Sequence, residues 1–409
     1  RQRQMCIRDR SIAILAQIAR LEHGVTPSLE ASLSVGEFFQ YPSSVWNYVT
    51  YKGDPRRKIS FEFHMKTGKT EISEVLRNIG EERALSVAES VTSVGFEHSY
   101  VPETGEASQS LFVNEKRIVE IERIRRDERS WYDVVVYPES LKGNKLRGPA
   151  SYLLYPSSFE IISETDIARD ISLMSKQIVR ILRYKLSKIF FISAMRGQVE
   201  PTVKTKAPPL WVGKNGQHLI EILALCFGKR EYESKAERIV DWAERFGIGK
   251  IKAGWWARYQ LSSVYEDPVV KTALNLVLAS YGSRQILTIL TQIFWSELGD
   301  VIMIEEPEIS LHPEAQVLLQ ELFAEAVNDG KQIIYTTHSP FLILSISKIV
   351  RKEILSTKDI AIYHVEKEEA GTKLKQLKLN RYGFVTGWIP SYIKVEEELF
   401  SKWAKSFEV

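Results

Sequence analysis

Two adjacent carboxylates, Glu305 and Glu306, close a short apolar run, Val301 to Ile304, and Pro307 follows them. A continuous apolar run of that length reads as a strand buried on both faces, as in a parallel sheet. Its interior has no place for two acids, so both are expected to emerge together at the C-terminal edge. In open α/β sheets that edge is where ligands bind. Adjacent acids there offer a metal ligand beside a water-activating base. A second strand, residues 332–338, finishes on His338 and turns at Ser339 and Pro340. Strand, helix, strand at these lengths is one βαβ unit with parallel neighbours, so His338 should share the edge with the two glutamates. A lone histidine at a strand end is ordinarily structural. Two acids and a histidine converging on one edge are a stronger signal.

The elements that must position these groups follow from period and punctuation. The connecting helix should start at Pro313, the favoured first helical position. It presents 315, 318, 319, 322, 323 and 326 to the core and stops at Gly330. Upstream, in "ASYGSRQIL", Ser280 and Gly282 sit in a turn before a helix with core face 286, 287, 290, 293, 294 and 298. Such a turn directs amides and the positive dipole end outward as an anion site, or its Ser and Gly simply cap the helix. Residues 37–137 alternate between strand and turn signals, as an antiparallel β layer with one solvated face does. Residues 163–189 are a charged amphipathic helix with Ser163 as N-cap, leading into a short strand at 190–193. A loop at 201–216, helices at 218–227 and 231–246, and a hairpin region at 248–265 precede the last lobe.

The 409 residues, 44% hydrophobic, allow a large core and about two to three domains. The 55 basic and 52 acidic residues nearly cancel at +3, which makes no electrostatic case for or against nucleic acid. The basic stretch 180–188 reads as a solvated helix face rather than a phosphate track. Two cysteines, Cys6 and Cys226, cannot form a disulfide framework, which points to a reducing compartment. No apolar run is long enough to span a bilayer, and no h-region follows the start. A cytoplasmic protein is the expectation.

"VIMIEEPEISLHPEAQ", a helix and "IIYTTHSP", with "ASYGSRQIL" upstream, resemble the ABC-type ATPases of the SMC/RecF/OLD-like branch, often described as AAA family ATPases. The motifs cover residues 279–340; weaker resemblance extends through "FISAMRG" at 191–197 and "GFVTGWIPSY" at 383–392. The resemblance implies an α/β fold, a P-loop NTPase of the ABC ATPase head type, with a mixed sheet, an N-terminal antiparallel β layer and a helical insertion. It implies an ATP hydrolase using ATP and Mg²⁺, with Glu305 as the Walker B acid holding Mg²⁺ and Glu306 orienting the attacking water. His338 resembles the switch histidine that contacts the γ-phosphate. Ser280, Gly282 and Ser283 would bind nucleotide held by a second subunit, with Ser310 and His312 in the D-loop across that interface. The implied assembly is a homodimer closed on ATP that gates a partner in DNA maintenance or anti-phage defence, with DNA or a nuclease as candidate partners and no membrane. A nucleotide-sensing scaffold without turnover, or the ATPase subunit of a nuclease complex, is the alternative.

The phosphate loop of such a site is not recognisable in the sequence. Thr67-Gly68-Lys69-Thr70 has Phe63 where the motif needs glycine, and it joins two strand-like runs; residues 213–216 lack Ser or Thr after Lys214. Gln40 is a weak candidate for the Q-loop. Residues 1–10 back-translate to a string that resembles the transposon end used to tag sequencing libraries, so they read as an adapter artefact; a disordered basic tail is the alternative. The helix opening abruptly at Ser11 then reads as the one after the phosphate loop. Ser11 is either a Mg²⁺ ligand or a plain exposed residue at a helix end. The expected organisation is 1–10 artefact, 11–162 N-terminal ATPase lobe, 163–265 helical insertion with connecting strands, and 266–409 C-terminal ATPase lobe.

Overall fold

A computed structural model describes residues 54, 56–67, 91–101, 103–104, 106–125, 131–147, 160–161, 165–204, 208–368, 371–386 and 398–399. Ser11, Gln40, Ser163 and all of the 67–70 turn beyond Thr67 lie outside them. The described chain falls into two compact units that divide between Ile189 and Phe190. The expected 163–265 segment is thereby shared between the units.

The first unit is a five-stranded antiparallel meander. β1 (Ile59–Lys66), β2 (Ser93–Tyr100), β3 (Ala107–Val113), β4 (Lys116–Arg125) and β5 (Trp131–Tyr137) pair in sequence order. Alternation puts one apolar row across the sheet, because Phe63 lies opposite Phe96, Phe96 opposite Leu111, and Leu111 opposite Val119. Phe96, Leu111 and Val119 are fully buried, and a sheet with one such face needs a covering layer. Two short strands, β6 (Leu146–Arg147) and β7 (Glu160–Ile161), pair with each other. The layer over the sheet is α1 (Asp166–Ser187), which packs on β2, β3 and β4. Its N-cap is Thr165, whose Oγ1 accepts from the Ala168 amide at 3.3 Å. The expected cap lay two residues earlier; Thr165 takes the place because it directly precedes the first helical residue. The buried stripe starts with the small residues Ala168, Ser172 and Ser175, while Ile167 and Leu173 are exposed. Small side chains let the helix approach the sheet closely there, and Ile178, Val179, Leu182 and Leu186 continue the stripe.

The second unit is built on β13 (Val301–Glu305), with β14 (Gln332–Thr336) parallel on one side and β8 (Ile189–Ile192) on the other. Burial of Ile302, Met303 and Ile304 explains the uninterrupted apolar run. α2 (Leu219–Gly228), α3 (Glu233–Arg245), α4 (Tyr281–Trp295) and α5 (Pro313–Asn328) share its hydrophobic core. α4 is buried without a break from Gln285 to Phe294. It ends at Trp295, so Leu298, expected on its core face, is exposed. α5 begins at Pro313, and Gly330 lies beyond its end at φ +79°, as a C-terminal stop requires. α6 (Pro340–Arg351) follows β14. A second sheet comprises β9 (Val203–Lys204), β10 (Lys250–Ala257), β11 (Gln260–Glu266) and β12 (Ala273–Asn275), with β11 bonded to the other three. The antiparallel strands β15 (Ile362–Glu368), β16 (Gly371–Leu379) and β17 (Val385–Thr386) come last among the described elements of sheet. Among the described residues, no helix is long and apolar enough to cross a membrane. The whole is a mixed α/β fold with parallel strands in one unit and an antiparallel layer in the other.

Candidate functional site

The parallel register puts Glu305 opposite Thr336, so the chain leaves β13 and β14 at the same edge. The Glu306 amide donates to the Thr336 carbonyl at 3.0 Å. β14 ends at Thr336, and Thr337 and His338 extend past it toward the glutamates. The His338 ring nitrogen Nε2 lies 3.3 Å from Glu306 Oε1. The two acids and the histidine therefore converge on one edge.

The two glutamates do not emerge together. Glu305 is only 4% exposed, and its Oε2 accepts from the Ala194 amide, just beyond β8, at 3.4 Å. Glu306 takes φ +43°, a left-handed backbone uncommon outside glycine, and emerges partly exposed beside the exposed His338. Strand alternation alone would send neighbouring side chains to opposite faces. The left-handed turn at Glu306 then redirects its carboxylate to the histidine. Burial raises the Glu306 pKa above its ordinary value, as do Glu308 and Glu305, while His338 and Arg196 pull it down. A carboxylate tuned upward suits a proton acceptor.

Two residues that hold this turn were not identified as site residues from the sequence. Arg196 has no exposed surface. One terminal nitrogen donates to the carbonyls of Ser193 at 3.0 Å and Glu305 at 2.8 Å, and the other to the Glu306 carbonyl at 3.0 Å. The guanidinium thus grips the main chain of both glutamates. Glu308 is 8% exposed, and its Oε1 accepts from Thr337 Oγ1 at 2.6 Å and from the amides of His338 at 2.7 Å and Ser339 at 3.1 Å. The available signals were the Arg in "FISAMRG" and the third acid of "EEPE". Neither forms part of a periodic pattern.

The loop at 213–216 is bonded to residues on either side of Arg196. The Ser193 amide donates to the Lys214 carbonyl, the Gly197 amide to the Asn215 carbonyl, and Ser193 Oγ to Asn215 Oδ1 at 2.7 Å.

Ser280 is the N-cap of α4, and its Oγ accepts from the Ser283 amide at 3.1 Å and pairs with Ser283 Oγ at 2.8 Å. Gly282 lies inside the first helical turn, not in the turn before it. A Cβ there would stand 2.5 Å from the Ser310 carbonyl oxygen, so glycine is required by the close approach of two backbones. Ser310 itself has φ +61°. Within one chain, the start of α4 is thus seated on the loop that carries Ser310 and His312. His312 is exposed and caps α5, its Nδ1 accepting from the Glu314 amide at 3.4 Å.

The donor set fits a divalent cation delivered with a nucleotide. Three carboxylates, Glu305, Glu306 and Glu308, lie within four positions, and their mutual repulsion contributes to the raised Glu306 pKa. Among the described residues, no group of three or more His, Cys, Asp or Glu side chains could hold a metal alone. Mg²⁺ needs only one or two carboxylates when phosphates and water complete its shell. Glu305 is the residue that would supply one.

The AAA ATPase domain family matches residues 153–343. Residues 153–343 are similar to that domain family. Every described residue discussed above, from Ser193 to Ser339, falls inside the matched ATPase segment. Among solved structures, the SmcHead bound to the C-winged helix domain of ScpA is similar at 11% identity and TM-score 0.46, over 91% of this chain and 87% of that one. An Smc head domain with an extended coiled coil, bound to the C-terminal domain of ScpA and derived from Pyrococcus furiosus, is similar at 11% identity and TM-score 0.43, over 96% and 89%. No curated protein sequence matches the chain.

Proposed function

We propose that the edge formed by Glu305, Glu306 and His338 hydrolyses ATP, and that nucleotide-driven dimerisation uses this step to gate a partner. The observation that carries the reading is the pairing of a partly exposed glutamate, tuned toward protonation, with an exposed histidine 3.3 Å away at the shared end of two parallel strands. Glu305 would hold Mg²⁺, directly or through water, and the ion would supply charge neutralisation on the phosphate oxygens. Glu306 orients the attacking water and takes its proton. His338 donates to the γ-phosphate. Ser280, Gly282 and Ser283 serve the nucleotide of a second subunit, with Ser310 and His312 lining the interface between copies. Phosphoryl transfer depends on positioning and charge neutralisation, so dividing those parts between two subunits makes turnover depend on closure. DNA maintenance or anti-phage defence is the role proposed for the gated partner.

Glu306→Gln in the full-length protein tests the reading. Turnover should fall by about 10²-fold or more, the range for a lost general base, while an ATP-bound dimer accumulates on size exclusion. Unchanged turnover removes Glu306 from the role of base. Binding without turnover in the unsubstituted protein favours a nucleotide-sensing scaffold.

A further inference from the structure

Glu308 is a buried carboxylate that neither strand needs for pairing, yet one of its oxygens collects three donors from the segment carrying His338. Thr337 Oγ1, the His338 amide and the Ser339 amide all donate to Oε1, at 2.6, 2.7 and 3.1 Å. The main chain of Glu308 belongs to a different segment. Its carbonyl accepts from the Leu311 amide at 3.1 Å, and the Ile309 amide donates to the Glu306 carbonyl at 3.2 Å. These bonds build the turn that carries Ser310, whose carbonyl is seated over Gly282. The segment after His338 is anchored in turn, since Ser339 Oγ accepts from the Phe341 and Leu342 amides that open α6 and pairs with Gln316 Oε1 on α5. One side chain therefore spans the two loops beyond the ends of the paired strands β13 and β14.

We propose that Glu308 is a positioning residue that couples the Ser310–His312 loop to His338. A displacement of that loop moves the Glu308 backbone, and the three hydrogen bonds carry the motion to the His338 main chain. A rigid linkage follows from chemistry. Charge-assisted hydrogen bonds are the strong ones, and stretching them in a buried site leaves donors unsatisfied. The proposal rests on the hydrolytic reading above in giving His338 a role in turnover; the mechanical linkage does not depend on it.

Two measurements separate those claims. In nucleotide-free full-length protein, Glu308→Ala should speed hydrogen–deuterium exchange at 337–339 and also at 309–312, with the other strands unchanged. Unchanged exchange at 337–339, or faster exchange spread over the whole unit, overturns the linkage. In steady-state kinetics, Glu308→Ala should lower kcat by about 30-fold or more while KM for MgATP stays within about 3-fold. Glu308→Gln keeps an oxygen acceptor and should recover most of the loss. A parallel fall in melting temperature, nucleotide affinity and kcat that Gln does not rescue marks a merely structural residue and overturns positioning. If the unsubstituted protein does not hydrolyse ATP, the hydrolytic reading fails while the exchange result still decides the linkage.

Discussion

Burial pulls the Arg196 pKa down to about 10, although Glu308, Tyr281, Glu305 and Glu306 all favour its charged form. A fully buried guanidinium is costly unless its donors are used, and here its two terminal nitrogens hold three carbonyls, those of Ser193, Glu305 and Glu306. Left-handed backbone at a non-glycine residue costs on the order of 1–3 kcal/mol, and Arg196 offsets that cost at Glu306 by bonding the carbonyls on both sides of the turn. Arg196→Ala would remove the guanidinium's bonds to those carbonyls and the positive charge that faces the buried Glu308. It should lower unfolding free energy by about 3 kcal/mol or more in urea titrations. Turnover, measured where the variant is still folded, should fall further than the folded fraction explains. Equal losses would reduce Arg196 to a packing residue. Both Arg196 and Glu308 were illegible as site residues, because a single buried charge has no period and its partners across the site lie about 30 to 110 positions away.

At the scale of elements, the antiparallel sheet carries a prediction of its own. Alternation along β2 sends Val94, Phe96 and His98 to one face, where all three are buried. The His98 ring stacks on Phe96, with centroids 6.5 Å apart and an interplanar angle of 2°. Burial, and then Arg123, pushes its pKa from 6.5 down to about 3. Between those two values the unfolded chain binds a proton that the folded sheet refuses. Stability is therefore complete above about pH 6.5 and is lost progressively as pH falls toward 3. Melting temperature should drop between pH 7 and pH 5, and His98→Leu should flatten that slope. A slope unchanged by the substitution would assign the acid sensitivity elsewhere. The bounds of most elements were close to their expected positions. Pro313 opens α5 and Gly330 follows its end for local backbone reasons. The links between elements were not expected, among them Arg238 of α3 reaching Glu325 and Asp329 at α5, and Trp242 donating to Glu325.

At the scale of the whole molecule, the second unit holds every described residue of the candidate site, and the first contributes the antiparallel layer and α1. A site completed by the Ser280, Gly282 and Ser283 turn of a second copy should show specific activity that rises with protein concentration through the dimerisation range. Mixing Glu306→Gln protein with a variant altered at Ser283 should restore one working site per dimer. Specific activity independent of concentration, with no complementation, would locate the whole reaction in a single subunit.

The amino-acid sequence by itself determined the buried parallel strand, its acidic end, the βαβ connection and the arrival of His338 beside Glu306. Each of these follows from short-range rules: an apolar run, a proline, a glycine and a fixed handedness of connection. Only the tertiary structure decided that Glu305 turns inward to Ala194 while Glu306 turns out to His338, since that depends on one left-handed residue gripped by an arginine from another segment. It also decided why position 282 is glycine. The sequence suggested a contact with phosphate. The folded chain adds a second requirement, a carbonyl at Ser310 that leaves no room for a side chain. Close approach of two backbones is a property of packing, and no local pattern encodes it.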